Sequence, residues 1–286
     1  MKIAFSPCPN DTFTFHAWVH GLVEGAPPPE VTYADIHITN HWAIDREGPE
    51  VMKISYASLP WILDDYALIP CGGALGRGCG PLVLSADGEM TPADLAGKTV
   101  AVPSERSTAY LLFRLWAKEA VPGGVGEIKV MPFDDIMPAV RDGKVDGGLV
   151  IHEARFTYGD YGLHMLTDLG DWWEKETGHP IPLGAIVARR ELADDIPRLE
   201  EWIRTSVEKA WDDPEASRAY VMEHAQEMDP EVAKAHINLY VNEFTRSLGE
   251  EGFAAVETLL GRAAEEGIVP SFDINKLRPY RGVTGE

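Results

Sequence analysis

The first two thirds of the chain carry short apolar runs, broken by glycine, proline and polar stretches. Runs at 2–5, 31–38, 51–55, 81–84, 98–102, 127–131, 147–151, 163–166 and 183–188 have the length and composition of strands. Helical patterns fall between them. One runs from a cap at Asn10 or Asp11 to about Leu22, and others occupy 40–47, 60–65, 134–141 and 171–176. Thr91-Pro92 is a cap followed by proline at the first helical position, and 104–109 leads into a strong helix through Ala120. After Arg190 the period changes. Apolar residues three and four apart predict amphipathic helices over 191–212, 214–227, 230–244 and 250–265, and the tail from Pro270 is irregular.

This order predicts an α/β protein with a helical C-terminal third. Two segments share one build of helix, glycine stop, strand and polar lip. The first spans 40–48 and the strand ending at Ser55, and the second spans 134–143 and the strand ending at His152. The repetition predicts two lobes facing each other across a cleft, the preferred place for a ligand. The larger lobe is expected to hold 1–97 and 180–286, and the smaller 98–179, with hinge crossings at 97–98 and 179–183. The glycine-rich stretch 72–80 is followed by a strand rather than a helix, so it is no dinucleotide fingerprint. It is expected to be a loop where backbone comes close to backbone or ligand.

Candidate chemistry concentrates at the strand ends. Leu149, Val150 and Ile151 form a fully apolar run that reads as a strand buried on both faces, as in a parallel sheet, and it stops at His152. Ligands of open α/β sheets sit outside the carboxyl ends of the strands. An imidazole there can exchange a proton near neutral pH, or it can simply cap the strand. Asn10, Asp11, Ser107 and Arg155 are expected at the same cleft. Ser107 and Thr108 sit at a helix start whose N–H groups suit a carboxylate, although ordinary capping explains them equally well.

Other patterns carry less. His16/His20 and His37/His41 are spaced four apart, but no glutamate of the H-E-x-x-H type intervenes, so no metal site is expected. Cys8 precedes a helix, where a thiol can be activated, yet the sequence names no base for it, and a buried structural cysteine is the better reading. Trp172, Trp173, Phe156 and Tyr158 fit either an aromatic pocket or ordinary core.

Composition removes whole classes of function. The net charge of −21 argues against nucleic acid and anionic membrane surfaces as partners. No run approaches a membrane span, and the opening residues lack the apolar region of a secretory signal. Three cysteines, an odd number without metal-ligand spacing, favour a reducing compartment, so a cytoplasmic protein is expected.

Five motifs occur together in one order: Ser6-Pro-Cys-Pro-Asn-Asp-Thr-Phe13, Lys53-Ile-Ser-Tyr56, Gly72-Gly-Ala-Leu-Gly-Arg-Gly78, Ser107-Thr-Ala-Tyr110 and Ile151-His-Glu-Ala-Arg-Phe-Thr-Tyr158. With Pro182-Leu-Gly-Ala-Ile186 and the helical final third, they make a chain that resembles the 1,4-dihydroxy-6-naphthoate synthase family of the futalosine route to menaquinone. The resemblance implies the two-lobed type II periplasmic-binding-protein-like fold. It implies a carbon–carbon lyase acting on cyclic dehypoxanthinylfutalosine, a small-molecule carboxylate, with no cofactor or metal. It places the catalytic base on His152 and substrate contacts on Lys53, Ile54, Ser55, Thr108 and Ala109. A monomer or weak homodimer is expected. Two other readings stay open: a solute-binding protein of the same fold, and the chorismate dehydratase of the same pathway.

Overall fold

The computed structural model describes residues 1–152, 154–225 and 229–278. The chain opens with β1 (Lys2–Phe5), α1 (Pro9–Val19), β2 (Glu30–Tyr33), α2 (Ile36–Asp45), β3 (Val51–Ser55), α3 (Leu59–Ile62) and β4 (Tyr66–Gly76). A second series follows: β5 (Leu82–Ser85), β6 (Thr99–Val102), α4 (Thr108–Ala120), β7 (Glu127–Val130), α5 (Phe133–Arg141), β8 (Gly147–Val150), α6 (Ala154–Thr157), β9 (His164–Asp168) and α7 (Leu169–Thr177). The chain returns through β10 (Ile181–Arg189) to α8 (Ile196–Asp212), α9 (Arg218–His224), α10 (Pro230–Tyr240), α11 (Glu243–Arg246) and α12 (Gly249–Glu265).

The strands form two five-stranded sheets, ordered β2-β1-β3-β10-β4 and β7-β6-β8-β5-β9. Both are mixed. β1 runs parallel to β2 and β3, while β10 runs antiparallel to β3 and β4. β8 is parallel to β6 but antiparallel to β5, so the run before His152 is buried in a mixed sheet rather than a parallel one. Each sheet is the centre of a lobe, as the repeated build predicts.

The lobe boundary falls earlier than expected. β5 lies before the expected cut at residue 97, yet it pairs with β8 and β9 in the second sheet. The chain therefore crosses between Gly76 and Leu82 and returns between α7 and β10. The glycine-rich stretch is also largely strand, because β4 continues to Gly76. The expected reason for the glycines does hold. A Cβ on Gly73 would stand 2.5 Å from the Gly184 carbonyl oxygen of β10, and one on Gly80 would stand 2.1 Å from Gly170 N.

Smaller differences have local causes. α1 begins at Pro9, not after Asn10, because proline fixes φ and has no N–H to leave unpaired at a helix start. Asn10 and Asp11 are thereby wound into the first turn. The strand expected over 31–38 stops at Tyr33, and α2 starts at Ile36. The helix expected to reach 227 is seen to His224, and residues 226–228 lie outside those described.

Packing follows the periodicity. In α8, Ile196, Leu199, Ile203, Val207 and Ala210 recur on one face and are buried. Ile196, Leu199 and Ile203 pack with Phe5, Phe15, Trp18 and Ile186 on one face of the first sheet. A larger cluster joins the other face to α4, α12 and the second sheet, through residues such as Ile54, Phe113, Leu149 and Leu259. Each fully buried side chain of this kind stabilises the fold by about 1.5–3 kcal/mol relative to exposure. No helix among the described residues is long and apolar enough to cross a membrane.

Candidate active site

Strand ends and helix starts from both lobes converge on one cavity of about 630 Å³. From the first lobe, β1 delivers Ser6 and the first turn of α1 delivers Asn10 and Asp11. β3 supplies Lys53 and Ser55, which share a face because side chains alternate along a strand. Ile54 points the other way into the core and does not line the cavity. From the second lobe come Ser107, Thr108 and Ala109 at the start of α4, and His152 just after β8.

The floor is a buried polar network. Lys53 Nζ pairs with Asp11 Oδ1 where both side chains are almost fully shielded from water. Ser6 Oγ donates to Asp11 Oδ2 at 2.6 Å, and Asn10 Nδ2 donates to Asp11 Oδ1 at 2.9 Å. Asn10 Oδ1 in turn lies 3.0 Å from His236 Nε2 on α10. Every oxygen of the carboxylate thus has a donor, which a buried charge requires.

The opposite wall is the start of α4. Ser107 caps it by accepting from Tyr110 N at 3.1 Å. The Thr108 hydroxyl is engaged: it accepts from Ala57 N at 3.1 Å and donates to the Leu183 carbonyl at 3.0 Å. That hydroxyl therefore ties the lobes together, and the first-turn N–H groups of Thr108 and Ala109 are the donors left by helix geometry. Asn40 braces Ser55 from behind, accepting from its N–H at 2.8 Å and donating to its Oγ at 3.0 Å.

His152 occupies the lip in a left-handed backbone conformation, φ 53°, unusual for a residue other than glycine. Its ring stacks near His236, with centroids 6.1 Å apart, and meets the edge of Phe133 at 5.7 Å. Its Nδ1 lies 3.4 Å from Cys8 Sγ. The other two thiols are held neutral: burial pushes Cys79, in the cavity wall, up to about 12, and raises Cys71 as well.

Known proteins match this chain along nearly its whole length. Residues 1–265 fit the family model described as menaquinone biosynthesis. A 1,4-dihydroxy-6-naphthoate synthase of Streptomyces coelicolor is 68% identical over 272 residues, covering 95% of each chain. Its counterpart from Thermus thermophilus is 46% identical, covering 94% of this chain and 95% of its own. The chain belongs to the 1,4-dihydroxy-6-naphthoate synthase family of menaquinone biosynthesis.

The fold of this synthase family is that of periplasmic binding proteins. A crystal structure of an Archaeoglobus fulgidus protein superposes with a TM-score of 0.85 at 35% identity, covering 94% of this chain and 98% of its own. The periplasmic aliphatic sulphonate-binding protein of Escherichia coli superposes at 0.70 with 15% identity, covering 100% and 93%, a likeness of fold alone.

Against that scaffold, some expected residues move out of the synthase cavity. Arg155 does not line it. Its guanidinium pairs with Asp168 at 2.6 Å and donates to the Gly80 carbonyl at 2.7 Å, bracing the segment where the chain crosses lobes. Trp173 is core, donating from Nε1 to the Pro180 carbonyl at 3.2 Å, and Trp172 packs beneath Arg262. Among the described residues, no three His, Cys, Asp or Glu side chains converge as a metal ion requires. The sequence reading missed His236 and Tyr240 of α10, which close the cavity from the C-terminal third. Their spacing of four on a helix with few other polar inward positions was the available signal.

Proposed function

We propose that the protein is the carbon–carbon lyase that converts cyclic dehypoxanthinylfutalosine to 1,4-dihydroxy-6-naphthoate in the cytoplasm, with His152 as the proton-abstracting base. The observation that carries this reading is the position of His152. It stands at the wall of a cavity between the lobes, together with the first turn of α4, whose N–H groups have no partner within the helix. A pocket that only held a solute has no need of a base there in a strained backbone conformation.

The residues divide the work. The N–H groups of Thr108 and Ala109, at the positive end of α4, suit the substrate carboxylate. Lys53 and Ser55 supply further donors from the other lobe. His152, as a neutral imidazole, removes a proton made acidic by an adjacent carbonyl. The donors steady the enolate that develops, and aromatisation drives release of the pentose-derived fragment. Closure of the lobes over the substrate keeps water from the reacting carbon.

The test is incubation of the purified protein, without added metal or cofactor, with cyclic dehypoxanthinylfutalosine. Formation of the naphthoate is followed by chromatography and mass. Product with the wild type and its loss in His152→Ala are the expected results. Binding without product would replace the lyase reading with that of a solute-binding protein. Neither binding nor product would move the assignment to chorismate dehydration.

A further inference from the structure

The contact between Cys8 and His152 crosses the cleft. Cys8 sits between β1 and α1 in the first lobe, and His152 follows β8 in the second. The cysteine is firmly placed. It is 4% exposed and occupies the position before Pro9 at the start of α1. Its carbonyl accepts from Asp11 N at 3.0 Å and Thr12 N at 3.1 Å. A second, smaller space of about 420 Å³ lies beside the main cavity and is lined by Cys8, Phe133 and His152. His152 lines both spaces, whereas Cys8 lines only the smaller one. The imidazole therefore borders both spaces, with its Nδ1 3.4 Å from the sulfur. The sulfur is outside the space where substrate would sit, so it is placed to act on the histidine rather than on the substrate.

We propose that Cys8 is a positioning residue for His152, its sulfur accepting the Nδ1 hydrogen so that Nε2 is left unprotonated toward the cavity. The proposal rests on the reading of His152 as the base. A neutral imidazole has one hydrogen to place, and a partner at one nitrogen decides where it goes. When Nε2 takes up the substrate's proton, the ring becomes a cation whose Nδ1–H donates more strongly, so the same sulfur steadies the product of the step. Because the two residues belong to different lobes, approach of the lobes and orientation of the base become one event.

Two measurements test this. The ring nitrogen shifts of His152 in protein labelled with 15N-histidine report the tautomer without any substrate. Wild type is expected to hold the hydrogen on Nδ1, and Cys8→Ala to exchange between both forms. A hydrogen fixed on Nε2 in wild type would overturn the proposal. Kinetics give the second readout. Cys8→Ala is expected to lower kcat by about five- to tenfold with little change in KM. It should also shift the acidic limb of the kcat/KM profile to lower pH, and Cys8→Ser should restore both. Wild-type kinetics in Cys8→Ala, or a loss with an unmoved limb that serine does not rescue, would sink the idea. If Cys8→Ala does not fold, the tautomer and activity of Cys8→Val, which fills the space of the thiol without an acceptor, decide in the same way. Failure of the wild type to turn over substrate would defeat the lyase reading, while the tautomer result would still judge the role of Cys8.

Discussion

Lys53 and Asp11 face each other in the cavity wall as an ion pair, with side chains 6% and 2% exposed. Removing one partner of a buried pair leaves a charge without compensation and costs about 3–5 kcal/mol. The two halves should not be equal. After Lys53→Met, Ser6 and Asn10 still donate to the carboxylate. After Asp11→Asn, a neutral amide is left opposite the ammonium. Asp11→Asn is therefore expected to destabilise more than Lys53→Met in urea unfolding. The double variant should lose less than the sum, by about 0.5–3 kcal/mol. Strict additivity would mean that the two groups are not coupled.

Gly184 offers a separate way to disturb the same lysine. A Cβ there would stand 2.8 Å from Lys53 Cε, the flexible end of a side chain rather than backbone. Gly184→Ala is thus expected to push the ammonium out of place, and to lose no more stability than Lys53→Met. We expect KM to rise by roughly tenfold or more, since small misplacements at a site are costly. Thermal unfolding together with steady-state kinetics checks both halves. Unchanged kinetics, or a stability loss larger than that of Lys53→Met, would count against this account of the glycine.

These relationships mark what the sequence could and could not show. The run Leu149–Ile151 and the stop at His152 are local signals, as is the Ser107 cap, so the strand ends that build the cavity were legible. Partners distant in sequence were not. Leu82–Ser85 reads as a strand, but only pairing with β8 and β9 assigns it to the second lobe. The stretch 72–80 read as a loop because the carbonyl that demands Gly73 belongs to Gly184. Cys8 read as an inert core thiol because its histidine lies 144 residues away. Arg155 sits in a motif beside His152, yet its charge is absorbed by Asp168.

His152 combines a function with a backbone cost. Its φ of 53° places a residue with a Cβ in the left-handed region, at a cost of about 1–2 kcal/mol. Asparagine tolerates that conformation better. His152→Asn is therefore expected to be at least as stable as wild type in urea, while turnover falls by about 10²–10⁴-fold through loss of the base. The pairing of the two results is the point. A variant that lost stability along with activity would show that the histidine is held there for packing instead.

His16 gives the fold a pH dependence away from the cavity. Burial and the neighbouring His20 hold its imidazole below the ordinary value of 6.5. His20 packs against it with ring centroids 4.5 Å apart and planes tilted by 36°, and Tyr220 packs against both. The unfolded chain therefore takes up a proton at a higher pH than the folded one. The stability contributed by keeping His16 neutral is complete above pH 6.5 and is lost as pH falls through the lowered folded value. His16→Gln removes the titrating group but keeps a polar side chain of similar reach. Its melting temperature is expected to be lower than wild type at pH 7.5 on packing grounds. Its further decline on going to pH 5 should nevertheless be shallower than that of wild type. Parallel declines in the two proteins would assign the acid sensitivity to other groups, because His16 would then bind protons equally in both states.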